Sequence, residues 1–66
     1  MVENTIVKNI EKRMEKMGLT QEETAYIMKI GRSTFRRRLK HPEEFTLEEL
    51  MALCRYCGIG LRELMK

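Results

Sequence analysis

Residues Gly18 to Pro42, Gly-Leu-Thr-Gln-Glu-Glu-Thr-Ala-Tyr-Ile-Met-Lys-Ile-Gly-Arg-Ser-Thr-Phe-Arg-Arg-Arg-Leu-Lys-His-Pro, spell two short helices joined by a tight turn. Thr20 is placed to cap the first, about Gln21 to Met28, with Glu23 three residues on as the reciprocal capping-box partner. Ala25 and Met28 fall on one face of that helix, and Ile30 follows in the turn. Gly31 and Ser33 offer the start of the second helix, about Arg32 to Lys40. His41-Pro42 stops it, because the residue before a proline is pushed out of the helical region. Phe35 and Leu39 are four apart and point together toward a core. Arg32, Ser33, Arg36, Arg37 and Lys40 are left on the outside.

The flanks read as further helices. Met1 to Asn4 form a frayed start, and a helix runs from Glu3 or Thr5 to Met17. Ile6, Ile10, Met14 and Met17 make its apolar stripe, with Lys8, Glu11, Lys12, Glu15 and Lys16 on the wet face. Gly18 sits just past its end, where a left-handed backbone is needed. Downstream, Pro42 to Phe45 are a loop, and Thr46 with Glu49 repeats the capping box. Leu47, Leu50, Met51, Cys54 and Cys57, with Leu53 at the edge, form the apolar face of a fourth helix closed by Gly58. After the Ile59-Gly60 turn, a last helical segment from Leu61 to Met65 lays Leu61, Leu64 and Met65 on the core. No stretch shows the strict alternation of a half-buried strand. The expectation is an all-α, compact bundle of about five short helices, one domain over residues 1–66.

Size and charge narrow the function classes. A chain of 66 residues buries only about 60% of its unfolded surface and has little room for a deep catalytic pocket. No Ser-His-Asp, paired-carboxylate or phosphate-loop constellation is present, so the expectation is not an enzyme. No run of about 18 apolar residues and no apolar leader is found, which points to a cytoplasmic chain without a membrane span. The net charge is +3, yet residues 24–42 hold six Lys or Arg and no Asp or Glu. The rest of the chain nets −3. Positive charge gathered on one element favours a specific polyanion site, against the plainer alternative of a solvated helix face.

Two weaker signals are set aside. Cys54-Arg-Tyr-Cys57 is a lone C-x-x-C inside a helix, and a structural zinc needs four ligands. Two reduced, half-buried thiols are the expectation, with redox sensing as the alternative; no metal or cofactor is implied. His41 reads as a cation at a helix C-terminus, Tyr26 and Tyr56 as edge residues, and the six methionines mostly as core filler.

A helix carrying hydrogen-bonding and basic side chains suits the major groove of DNA, which admits one α-helix. The N-terminus of the preceding helix, with its free N–H groups and the Gln21 side chain, can hold a phosphate. Arginine can bond guanine twice, worth about 1–3 kcal/mol of discrimination. Ser33 and Thr34 are short enough to reach a base or a phosphate, whereas Lys29, Arg38 and Lys40 suit phosphates, which position without reading sequence.

Leu19-Thr20-Gln21-Glu22-Glu23-Thr24-Ala25, Ile30-Gly31-Arg32-Ser33-Thr34-Phe35, Phe45-Thr46-Leu47-Glu48-Glu49-Leu50 and Ile59-Gly60-Leu61-Arg62-Glu63-Leu64, in that order, resemble the Cro/phage-repressor (XRE-type) helix-turn-helix family. The resemblance covers most of the chain and is nearest to small stand-alone members carried by phages and mobile elements. It implies a lambda-repressor-like fold and a repressor of transcription that binds double-stranded DNA as a homodimer on palindromic sites. By position it makes Ala25 the small residue at the helix crossing and Ile30 and Phe35 buried apolar positions. Gln21 becomes a phosphate contact that supports a base-reading side chain, and Arg32, Ser33, Thr34, Arg36 and Arg37 face base edges or flanking phosphates. The chain departs from the pattern twice. Lys29 stands where the family usually has glycine, at a cost of roughly 1 kcal/mol if the backbone is left-handed. Arg38 stands where many relatives are apolar, with Leu39 taking over the packing.

A dimer surface is expected around Ile59, Leu61, Leu64 and Met65, against the alternative that these residues simply close the core. The competing functional class is an antitoxin or protein-interaction module on the same fold. Charge concentrated on one helix opposes a purely protein-binding role, since such interface cores are depleted in charge. RNA binding ranks lower, because base-stacking aromatics are missing from the basic face.

Overall fold

The computed structural model describes residues 4–66, which form five α-helices: α1 Thr5–Met17, α2 Gln21–Met28, α3 Arg32–Lys40, α4 Leu47–Cys57 and α5 Leu61–Met65. A single 3-10 turn, Pro42–Glu44, occupies the expected loop between α3 and α4. Most of the expected frayed start lies outside the described residues. Asn4 is within them and is ordered into a cap: its Oδ1 accepts the Val7 N–H at 3.0 Å. Helix α1 therefore begins at Thr5.

Both capping boxes are present. Thr20 Oγ1 accepts from Glu23 N–H while a Glu23 carboxylate oxygen accepts from Thr20 N–H, and Thr46 and Glu49 do the same for α4. The α3 start differs, since Gly31 caps it with no side-chain bond. Three helices end in one way. After α1, Gly18 is left-handed and Leu19 N–H reaches back to Met14 O at 2.8 Å. After α4, Gly58 is left-handed and Ile59 N–H bonds Cys54 O at 3.0 Å. After α2 the same closure is made by Lys29, with φ 64° and ψ 39°, and Ile30 N–H bonds Ala25 O at 3.0 Å. These paired bonds satisfy carbonyls that a helix end leaves orphaned.

Helix α2 packs on both α3 and α4, while α5 lies on α1 and α4. The centre is Ile10, Ala25, Met28, Phe35, Leu50, Leu53, Cys54 and Leu64. Ala25, the small residue of α2, is buried in this centre. Thr24 is buried among these residues and its hydroxyl donates to Thr20 O at 2.8 Å, so no polar group is stranded there. Phe35 meets Phe45 edge-on, with centroids 6.3 Å apart.

Several expected core positions moved. Leu53, read as an edge residue, is at the centre of the core, whereas Leu47 and Met51 are exposed. The α4 stripe runs through Leu50, Leu53, Cys54 and Cys57. Met51 is turned about 100° from Leu50 and so leaves the stripe. Leu47, in the first turn of α4, projects beyond the core. Met17, at the last position of α1, is likewise exposed. Ile30 is half-buried, not buried. The Asn9 amide clamps the end of α5 against α1, donating to Leu64 O at 2.6 Å and Lys66 O at 2.9 Å. No helix among the described residues is long and apolar enough to cross a membrane.

Candidate nucleic-acid interface

Helix α3 is buried along one line and cationic along the rest. Phe35 is fully enclosed and Leu39 half-buried, which turns Arg32, Ser33, Arg36, Arg37 and Lys40 to solvent. No carboxylate lies on the helix itself. Thr34 is half-buried beside the core line.

Two of these arginines are brought to the start of α2. Arg32 and Arg36 line a depression of about 300 Å³ with Thr20, Gln21 and Glu22. They are four apart, so they stack on one face of α3. Gln21 is the first residue of α2 and is exposed there. The depression thus gathers a side-chain amide, two guanidinium groups and the positive end of a helix dipole, a combination suited to an oxyanion such as a phosphate. Glu22 is the one acidic member of the lining. Free arginines are also suited to bidentate hydrogen bonding at guanine edges.

The other expected contacts are distributed differently. Arg37 leans toward the 3-10 turn, with Nε 3.4 Å from a Glu44 carboxylate oxygen, though its side chain remains 70% exposed. An exposed pair of this kind is worth about 0–1 kcal/mol and is readily exchanged for another anion. Lys40 is exposed in the last turn of α3. Lys29 is exposed and lines a groove with Tyr26, Ile30 and Tyr56, outside the Arg32–Arg36 depression. Arg38, expected at a phosphate, is half-buried and its Nη1 donates to Glu49 Oε1. Burial pushes the Glu49 carboxyl up, but bonds from Arg38 and the Thr46 N–H, with the Arg38 charge, outweigh it and hold the group below the ordinary carboxylate range. The expected capping box gave Glu49 one role, and its second, as a partner for α3, carried no sequence signal. Nor did Glu44 as a partner for Arg37.

The C-x-x-C pair takes no part in this surface. Cys54 is buried, Cys57 is half-buried, and both are free thiols. Burial pushes both thiols up, the neighbouring Cys57 adding to the effect at Cys54 and the Arg13 charge partly offsetting it at Cys57. Such thiols are poor nucleophiles at neutral pH. No cluster of three or more His, Cys, Asp or Glu able to hold a metal is found among the described residues.

A tight-turned helix pair, with a basic second helix packed on the first and both Ala25 and Phe35 in the shared core, defines a helix-turn-helix domain. Residues 9–66 match the family model of the Cro/C1-type HTH DNA-binding domain, and the chain belongs to that family. No curated protein and no solved structure matches the chain significantly. Family membership makes this a DNA-binding fold associated with control of transcription, and not an enzyme fold.

Proposed function

We propose that the protein is a sequence-specific regulator of transcription, a repressor that places α3 in the major groove of double-stranded DNA and binds palindromic sites as a homodimer. The observation that carries this is the convergence of Gln21, Arg32 and Arg36 on one depression at the α2 N-terminus. In this reading the α2 N-terminus and Gln21 hold a backbone phosphate and fix the register. Arg32, Ser33 and Arg36 then meet base edges. Thr34 and Arg37 border that set, with Arg37 exchanging Glu44 for a flanking phosphate. Lys40 contacts the backbone further along. Arg38 is not available to DNA while it bonds Glu49. Repression follows from occupancy, because a domain seated in the groove at a promoter blocks access to it.

The test is selection from random duplex DNA with sequencing of the bound fraction, for the natural protein, Arg36→Ala and Lys40→Ala over a salt series. An enriched palindrome is expected, altered at one position per half-site by Arg36→Ala at about 1–3 kcal/mol. Lys40→Ala should weaken all sequences alike and lower the salt slope by about one. Binding that follows salt alone, with no enriched sequence, would overturn the reading.

A further inference from the structure

We infer that a second copy of this chain docks through the exposed face of α2 and the groove between α2 and α4, so that two α2 helices cross antiparallel about Tyr26. The inference rests on the dimeric reading proposed above. Helix α5, the expected dimer surface, is largely spent inside the molecule. Leu64 is fully buried, Ile59 and Leu61 are half-buried, and the Asn9 amide pins the α5 carbonyl end. Only Met65 stands clear.

The α2–α4 groove is an unclaimed, mostly apolar surface. Ile27, Ile30 and Ala52 line it with Tyr26 and Tyr56, which are 83% and 53% exposed. Neither phenol has a hydrogen-bond partner among the described residues. Exposed tyrosines of this kind are enriched in protein interfaces because they bring large, stiff apolar area with a polar tip.

The charges say what fits there. Glu22, Tyr26 and Lys29 follow one another at i, i+4 and i+7 and all line the groove. In this row the acid stands at one end, the base at the other, and the tyrosine midway; of the groove's other charges, Glu23 is held in the α2 capping box and Arg55 lies across on α4. A two-fold axis through Tyr26 sets Glu22 of each copy against Lys29 of the other, the pattern an isologous interface requires. Neither Glu22 nor Lys29 has an ion-pair partner within its own chain among the described residues. No α3 residue lines the groove, which shares only Thr20 and Glu22, at the start of α2, with the Arg32–Arg36 depression. Two copies joined this way keep both α3 helices free for DNA.

The test is sedimentation equilibrium of the natural chain, Tyr26→Glu, Glu22→Lys, Lys29→Glu, the double exchange of Glu22 and Lys29, and Met65→Glu on α5. Circular dichroism would check each fold, and a single half-site duplex would measure DNA binding separately. The expected result is a dimer weakened at least about tenfold by Tyr26→Glu. Each single charge reversal should also weaken it, the double exchange should restore it, and Met65→Glu should leave it intact. A dimer broken by Met65→Glu and untouched by Tyr26→Glu would overturn the inference. So would a chain that remains monomeric while binding a half-site, although DNA reading would then stand. A dimer lost in Tyr26→Glu, with no half-site binding by the natural chain, would support the interface and remove the DNA-reading proposal instead.

Discussion

Lys29 occupies a backbone conformation that the chain elsewhere gives to glycine. Its φ of 64° matches Gly18 at 66° and Gly58 at 72°, and it is the one non-glycine residue with positive φ among those described. An L-residue there costs about 1–2 kcal/mol, and glycine returns about 0.5–1 of that as unfolded-chain entropy. Lys29→Gly is therefore expected to stabilise the folded chain by about 0.5–1 kcal/mol in urea denaturation. It should at the same time loosen the dimer inferred above. A destabilised Lys29→Gly would show that the lysine side chain contributes more to the fold than its backbone costs. The turn geometry was legible from the tight Met28-Lys29-Ile30 junction, and the strain from the missing glycine. What no residue announced was which flank of α2 Lys29 would serve, because that depends on where α4 lies.

At the scale of the element, α3 is tied to α4 by one half-buried pair, Arg38 with Glu49, whose carboxylate also closes the α4 capping box. The carboxyl is depressed in the folded state. Its contribution is then complete above the ordinary carboxylate pKa and drains as pH falls through the folded value. Acid unfolding of the natural chain should begin at a lower pH than that of Arg38→Met, in which the depression of Glu49, and the stability it carries, is reduced. Glu49→Ala is expected to cost about 2–3 kcal/mol at neutral pH, since it removes a cap and leaves Arg38 without its anion. Equal acid midpoints for the natural chain and Arg38→Met would contradict this. The pair also shows a limit of pattern reading. Helix periodicity assigned Arg38 to the basic run, and only the packing of α3 beside the α4 N-terminus reveals a different partner. The phase of α4 was misread for a related reason. Leu47, Leu50 and Met51 are all apolar, and composition alone does not say which of them the neighbouring helices cover.

For the molecule as a whole, the two cysteines give a global probe. Both thiols lie where burial raises them. Alkylation near pH 8 should be slow in the native protein and become fast only on unfolding, so its rate reports the open population. Rapid native labelling of Cys57 alone would place that part of α4 outside the cooperative unit. Five helices, both capping boxes and the helix-turn-helix were readable because each rests on contacts three or four residues apart. The Arg32–Arg36–Gln21 depression was half-readable: the sequence marked all three residues, but their meeting depends on how α3 packs on α2. The groove beside Tyr26 and Tyr56 was not readable, since it joins residues about thirty apart.

The Asn9 clamp described above ties positions 55 and 57 residues apart in sequence. Closing so long a loop is slow and entropically costly, whereas α2, α3 and α4 meet through short connections. Helix α5 has five residues and no side-chain cap, too few to persist alone in water. It follows that α5 should join last as the chain folds and leave first as it opens. Amide exchange would then show α5 and the start of α1 trading protons as one unit while the α2–α3 pair stays closed. Asn9→Ala should hasten exchange in that unit alone, a latch between α1 and α5 that can be undone without disturbing the helix-turn-helix pair.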